Sequence, residues 1–243
     1  MKPFRDEMEK ETQLISEFSR QNLDLGNPGL SDEYYYSCLP LCVIDAVFSI
    51  GVTYSSTINT VKKFCGYFDI ERFSKEGRYS REYPPIEDQL SINDFVRLLD
   101  SITPKRMVSE VFRNRQRTSS RSGILKSDAV LLFSKVLQSF KINYFQDCIS
   151  HINDEGLRKE IRKIPGQRSG ISLQYFFMLA GNTKLIKPDR MVLGYLERII
   201  GYKPAITQAQ ELLDASHQLL IKDYPSLTLR ELDYLIWSFQ RTQ

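Results

Sequence analysis

The period of the apolar residues, more than their number, constrains what this chain can become. Val43, Val47, Ile50, Tyr54, Ile58, Val61 and Cys65 recur at steps of three and four, which places them on one face of a helix. The run predicts one long central helix with Gly51 inside it, where glycine costs about 1 kcal/mol relative to alanine and admits a second backbone or a ligand. Val130, Phe133, Leu137 and Phe140 mark another amphipathic helix, and Leu157, Ile161 and Ile164 a third. Ile171 to Ala180 is apolar on nearly every side, the pattern of a helix buried in a core. Ser91 with Asp94, Thr207 with Gln210 and Thr228 with Glu231 have the spacing of helix-opening capping boxes. No segment alternates apolar and polar residues as a strand would, and no repeat of fixed period emerges. The fold class predicted is all-α.

At 243 residues and 42% hydrophobic content the chain is long enough for one or two domains around a sizeable core. A net charge of +3 is mild, so any affinity for phosphate must come from local clustering. The charged stretch from Met1 to Arg20 has no apolar core, which predicts neither signal peptide nor membrane anchor, and no apolar run reaches bilayer length. Cys38, Cys42, Cys65 and Cys148 are too few and scattered for a disulfide framework. No second Cys or His pair joins Cys38 and Cys42, so they read as buried small hydrophobes and no metal or cofactor is expected. A cytoplasmic, nucleoid-associated monomer without membrane contact is the expectation. Gly66 to Pro85, with Gly77, Pro84 and Pro85, reads as a loop, and Trp237 as a core residue.

Two basic clusters stand out from this background. Between Lys105 and Lys126 seven basic residues face one acid: Lys105, Arg106, Arg113, Arg115, Arg117, Arg121 and Lys126 against Glu110. Serines and Gly123 intervene, suggesting a flexible loop whose phosphate contacts weaken steeply with salt. The second cluster is Arg158, Lys159, Arg162, Lys163 and Arg168, around the turn Pro165, Gly166, Gln167, Arg168, Ser169 and Gly170. A turn between two helices offers N–H groups and a helix end to a phosphate without regard to base sequence. Lys187, Pro188, Asp189 and Arg190 follow, and Asp189 opens a helix whose packing face is Met191, Val192, Tyr195, Leu196 and Ile199.

Ile164 to Gly181 resembles, without a gap, the Leu-Pro-Gly-Val-Gly hairpin and apolar helix of the helix-hairpin-helix superfamily of base-excision DNA glycosylases. Asp189 falls where that superfamily keeps its catalytic aspartate. The Asp45–Gly51 segment, the Gly123–Lys126 segment and the residues around Asp189 add to the likeness, which covers roughly Pro40 to Gly201. The resemblance implies the all-α helix-hairpin-helix glycosylase fold: two helical lobes, 40–181 with the hairpin at 164–170 and 1–39 with 182–243, and an active-site cleft between them. It implies double-stranded DNA as partner. Residues 164–170 would anchor the backbone, with Arg113, Arg115, Arg117, Arg121, Lys126 and Lys187 adding contacts.

This chain departs from that pattern at three places. Arg168 stands at the hairpin's usual second glycine. Gly170 stands where bifunctional members carry a Schiff-base lysine, so lyase action is not expected there. No cysteine lies beyond Cys148, which excludes the C-terminal iron–sulfur cluster of some members. What remains resembles a monofunctional glycosylase with no cofactor. Cleaving an N-glycosidic bond builds positive charge on deoxyribose, which one fixed carboxylate, Asp189, can stabilise while activating water. An extruded base needs aromatic walls, for which Tyr34, Tyr35, Tyr36 and Tyr54 are the candidates. The same residues also suit a non-catalytic hairpin module in DNA recognition or phage defence, or a helical scaffold whose basic loops meet acidic proteins.

Overall fold

The computed structural model describes residues 2–74 and 83–242. They form α1 (Lys2–Asn22), α2 (Leu39–Phe48), α3 (Tyr54–Phe68), α4 (Ile92–Asp100), α5 (Pro104–Arg106), α6 (Lys126–Ser139), α7 (Glu155–Lys163), α8 (Ile171–Leu179), α9 (Arg190–Ile200), α10 (Ile206–Leu220) and α11 (Leu229–Arg241), with short 3-10 and π turns between them. Pairing of the strand type is confined, among the described residues, to two isolated bridges, Tyr36 with Phe73 and Arg117 with Leu125. The architecture is all-α. The chain divides into two compact units, Met1–Leu30 with Asn182–Gln243, and Ser31–Gly181.

In the Ser31–Gly181 unit, α2 is the axis: every side chain from Leu39 to Phe48 is buried, with α3, α4, α6 and α8 packed around it. The single long helix expected from the apolar period is therefore two. Gly51 adopts φ +65, a left-handed conformation that ends helical winding and suits glycine. The carbonyls of Phe48 and Ile50, left open where α2 stops, accept hydrogen bonds from Lys126 Nζ at 2.8 and 2.7 Å. The period continues across the break because it records burial, not unbroken winding. α8 is the second inner helix, with Phe176, Phe177 and Met178 fully buried and Phe176 against Phe133.

Residues 66–68 continue α3 instead of opening a loop. Part of the expected 66–85 loop, residues 75–82 with Gly77, lies outside the described residues. Pro84 is tied down, its carbonyl accepting from Gln89 Nε2 and Gln146 Nε2 at 2.6 and 2.9 Å.

The other unit packs α1, α9, α10 and α11 around Ile15, Tyr195, Leu196, Leu212, Leu213, Leu232 and Ile236. Along the α1–α10 seam the small buried residues Ser16 and Ser216 let the backbones approach. Their hydroxyls return to Thr12 O at 2.8 and 3.3 Å, so both are satisfied inside the seam. Ser91 and Thr228 cap their helices as the spacing predicts. Thr207 does not: α10 starts two residues earlier than that cap requires, at Ile206 behind Ala205, and places Thr207 inside the first turn. Trp237 is half-buried, stacked on Tyr234, and Ile236 beside it is the core residue.

Candidate functional site

The turn between α7 and α8 is fixed by backbone bonds and two glycines. Gln167 N–H donates to Ile164 O at 2.9 Å and Gly170 N–H to Gln167 O at 3.0 Å. Gly166 and Gly170 take φ +89 and +77, whereas Arg168 is not among the residues with positive φ. The arginine therefore stands at a position that does not demand left-handed backbone, and its side chain is exposed. Gly170 has no side chain with which to cap α8, and the first amide, of Ile171, meets only Ser169 Oγ, at 3.4 Å.

Gly166 also makes the contact that joins the two basic clusters. A Cβ built there would stand 2.4 Å from Thr118 Cβ, so the turn's backbone lies directly on the arginine-rich segment. That segment is tied across its ends by hydrogen bonds. Thr118 N–H bonds Ile124 O and Lys126 N–H bonds Gln116 O, both at 2.9 Å, and Arg117 Nη1 donates to Gly123 O at 2.6 Å. Gly123 is required because a Cβ would collide with Ser119 N at 2.1 Å. Arg113, Arg115, Arg117, Arg121, Arg162 and Arg168 are exposed, and Arg162 lies beside Gly170. Arg106 is committed to Glu110 at 2.9 Å, and Lys163 to Glu160 at 2.6 Å.

Two residues expected to contact phosphate face inward. Lys126 is fully buried, with its ammonium on the end of α2 and burial pushing its pKa down to about 8. Gln167 is also fully buried and accepts a hydrogen bond from the Ser172 hydroxyl. Pro165, Gly166, Arg168 and Ser169 are exposed and Gly170 is half-buried. Beneath the turn, Thr118 Oγ1 and Gln167 Nε2 are buried without a hydrogen-bond partner.

In the unit that contains the termini, Asp189 is the N-cap of α9. Its Oδ1 accepts from the amides of Met191 at 2.8 Å and Val192 at 3.3 Å. Its Oδ2 stands 4.0 Å from Lys187 Nζ, and the Asp189 side chain is 25% exposed. Behind it lies Asp233, which sequence reasoning missed. Burial pushes the Asp233 carboxyl up to about 8, and the charge of Asp189 pushes the same way. The Lys187 amide, donating to Asp233 Oδ1 at 2.8 Å, opposes the rise. The signal was present: Asp233 occupies the apolar stripe of Leu229, Leu232 and Ile236.

The four tyrosines separate. Tyr36 and Tyr54 line a cavity of about 290 Å³ together with Ser31, Asp32, Glu33, Ile58, Val61, Lys62, Arg72 and Phe73. Tyr34, which is buried, and Tyr35 are not on that lining. Tyr36 OH donates to the buried Asp45 Oδ2 at 2.8 Å, and burial, with the charge of Asp45 behind it, raises the phenol pKa. Tyr54 and Tyr175 are raised by burial and the same carboxylate, with Glu33 adding at Tyr54. All four cysteines are buried thiols. Among the described residues no three His, Cys, Asp or Glu stand together as metal ligands, and no helix is long and apolar enough to cross a membrane.

Residues 13–241 match the model of the family described as "Domain of unknown function (DUF8548)". The chain belongs to that family. No curated protein and no solved structure matches it.

Proposed function

We propose that this family member is a DNA N-glycosylase that hydrolyses the bond between a damaged or modified base and its deoxyribose, leaving an abasic site. The observation that carries the reading is the seat of Gly166 on Thr118, which merges two basic clusters, remote in sequence, into one surface. Exposed guanidinium groups, turn amides and the open N-terminus of α8 suit a phosphate backbone and carry no base selectivity. The strand is held there, and selectivity falls to whatever receives the extruded base.

Asp189 supplies the chemistry in this reading. The two amides occupy Oδ1, while Oδ2 stands 4.0 Å from Lys187 Nζ. As the base departs with the electrons of the C1′–N bond, that oxygen stabilises the positive sugar. It then takes a proton from the water whose oxygen bonds C1′, while the departing base gains a proton from solvent. Substitution Asp189→Asn separates chemistry from structure, because asparagine caps a helix as well as aspartate does. With duplexes each carrying one altered base, the native protein should yield alkali-labile sites on at least one. The variant should bind that duplex equally well and release nothing.

A second reading, a hairpin module that recognises DNA without cutting it, draws on the same cap: two amide bonds give Asp189 a structural task sufficient in itself. Under that reading Asp189→Asn leaves every DNA property unchanged, and no duplex loses a base.

A further inference from the structure

The segment that carries Asp189 is docked on the head of α11 at successive points. Arg230 N–H donates to Thr183 O at 3.2 Å, Ile186 is buried in the core of the unit, and Lys187 N–H donates to Asp233 Oδ1 at 2.8 Å. Asp189 N–H then donates to Lys187 O at 2.6 Å, closing a turn over Pro188, whose ring fixes φ. The backbone of Lys187 is therefore held from both sides, its amide by Asp233 and its carbonyl by Asp189. Asp233 is a costly residue for that task. It is 5% exposed and stands in the apolar stripe of Leu229, Leu232 and Ile236, where a leucine would pack without desolvating a polar group. Two carboxyl groups converge on Lys187: Asp233 on its amide, and Asp189 with Oδ2 at 4.0 Å from its ammonium.

We infer that Asp233 is a positioning residue for Asp189: by holding the Lys187 amide it fixes the Lys187-Pro188-Asp189 turn, and with it the way the Asp189 carboxylate is presented. It acts through the backbone of Lys187 and touches no reactant. Burial keeps the proton on Asp233, the charge of Asp189 adds to that, and the amide and ammonium of Lys187 oppose it. A neutral acid holds the turn without competing with Asp189 for the one ammonium between them, whereas a second buried charge would have to be paired at a cost. That Asp189 is the reacting group rests on the base-release reading. The clamp on its turn does not.

Base release at saturating duplex, followed in single turnover in mildly acidic buffer where Asp233 is protonated, tests the inference with two substitutions. Asp233→Leu completes the apolar stripe but removes the acceptor, and should slow release about tenfold to a hundredfold with duplex affinity unchanged. Asp233→Asn keeps an acceptor for the Lys187 amide and should recover most of that rate. Release by Asp233→Leu at the native rate, or a loss as deep in Asp233→Asn as in Asp233→Leu, would overturn the inference. A second readout needs no DNA. In carbon-13 NMR spectra the Asp189 carboxyl should shift in a step near pH 8 as Asp233 ionises, and Asp233→Asn should abolish that step. Its absence from the native protein, or its survival in folded Asp233→Asn, would overturn the inference as well, and this readout decides if Asp233→Leu fails to fold by circular dichroism. Should the native protein release no base from any duplex while the step is present and lost in Asp233→Asn, the base-release reading falls and the placement of Asp233 on Asp189 stands.

Discussion

At the α7–α8 turn the backbone does the fitting, whereas at the head of α9 a side chain does. Gly166 is needed for what it lacks: a Cβ would strike Thr118, and its φ of +89 suits no larger residue. Asp189 is needed for its oxygens, one committed to amides and the other turned toward Lys187. The contrast divides labour in the proposed enzyme. A surface set by backbone stays in place when arginines other than Arg117, which bonds Gly123 O, change, and a carboxylate set by a cap can lose its charge without losing its helix.

The largest effect should therefore come from a substitution that leaves structure alone. Asp189→Asn is expected to lower base release by about 10²–10⁴-fold, the usual range for loss of a positioned acid–base group, with thermal midpoint and duplex affinity unchanged. Unaltered release would assign Asp189 to capping alone and remove the contrast. At the other corner, Gly166→Ala combines left-handed strain with a clash against a β-branched neighbour, for an expected loss of about 2–3 kcal/mol. Chemical denaturation measures that loss, and fluorescence anisotropy with duplex DNA should show weaker binding under conditions where the variant is still folded. Gly166→Ala with native stability would mean that the turn and Thr118 are not in contact.

How much of this was legible beforehand differs between the two corners for physical reasons. Caps are local, so Ser91, Thr228 and Asp189 could be read from residues close by in the chain, and α8 from a run in which only Ser172 and Gln174 are polar. Thr207 failed because a capping spacing does not say where winding begins, and Ala205 precedes it by enough to start the helix without a side-chain cap. The break at Gly51 was hidden because both α2 and α3 present apolar residues to one core. Long-range contacts leave no local trace. Nothing in the sequence placed Thr118 under Gly166, or turned Lys126 from a phosphate ligand into the buried cap of α2. Asp233 and Asp45 did carry a signal, a carboxylate within an apolar stripe, which marks a buried acid before any coordinates exist.

Asp233 sharpens the α9 side of the comparison through pH. Its carboxyl is raised from 3.8 to about 8 on folding, so between those values the native state binds more protons than the unfolded chain. Stability must then fall as pH rises through that window and level off above it. Asp233→Asn keeps an oxygen for the Lys187 amide and has no proton to lose, so its stability should stay flatter over the same range. Denaturant midpoints taken at several pH values compare the two slopes. Equal slopes would show that Asp233 ionises in the folded protein much as it does in the unfolded chain.

The smallest effects belong to the arginines, and they test whether the hairpin surface is one electrostatic unit. Arg113, Arg115, Arg121 and Arg168 are exposed, whereas Arg117 also holds Gly123 O. Replacing Arg113, Arg115 or Arg121 by alanine should leave folding within about 0.5 kcal/mol. Each should lower the slope of log affinity against log salt by about one phosphate contact, irrespective of duplex sequence. Arg168→Ala, on the turn itself, should behave the same way, because the surface is joined through Gly166 and Thr118. Arg117→Ala should differ by loosening the segment, so its affinity loss should come with lower stability. If the loop arginines changed the slope and Arg168 did not, the two clusters would be separate surfaces. The backbone contact between them would then be packing, and the strand would have to be held by the loop alone.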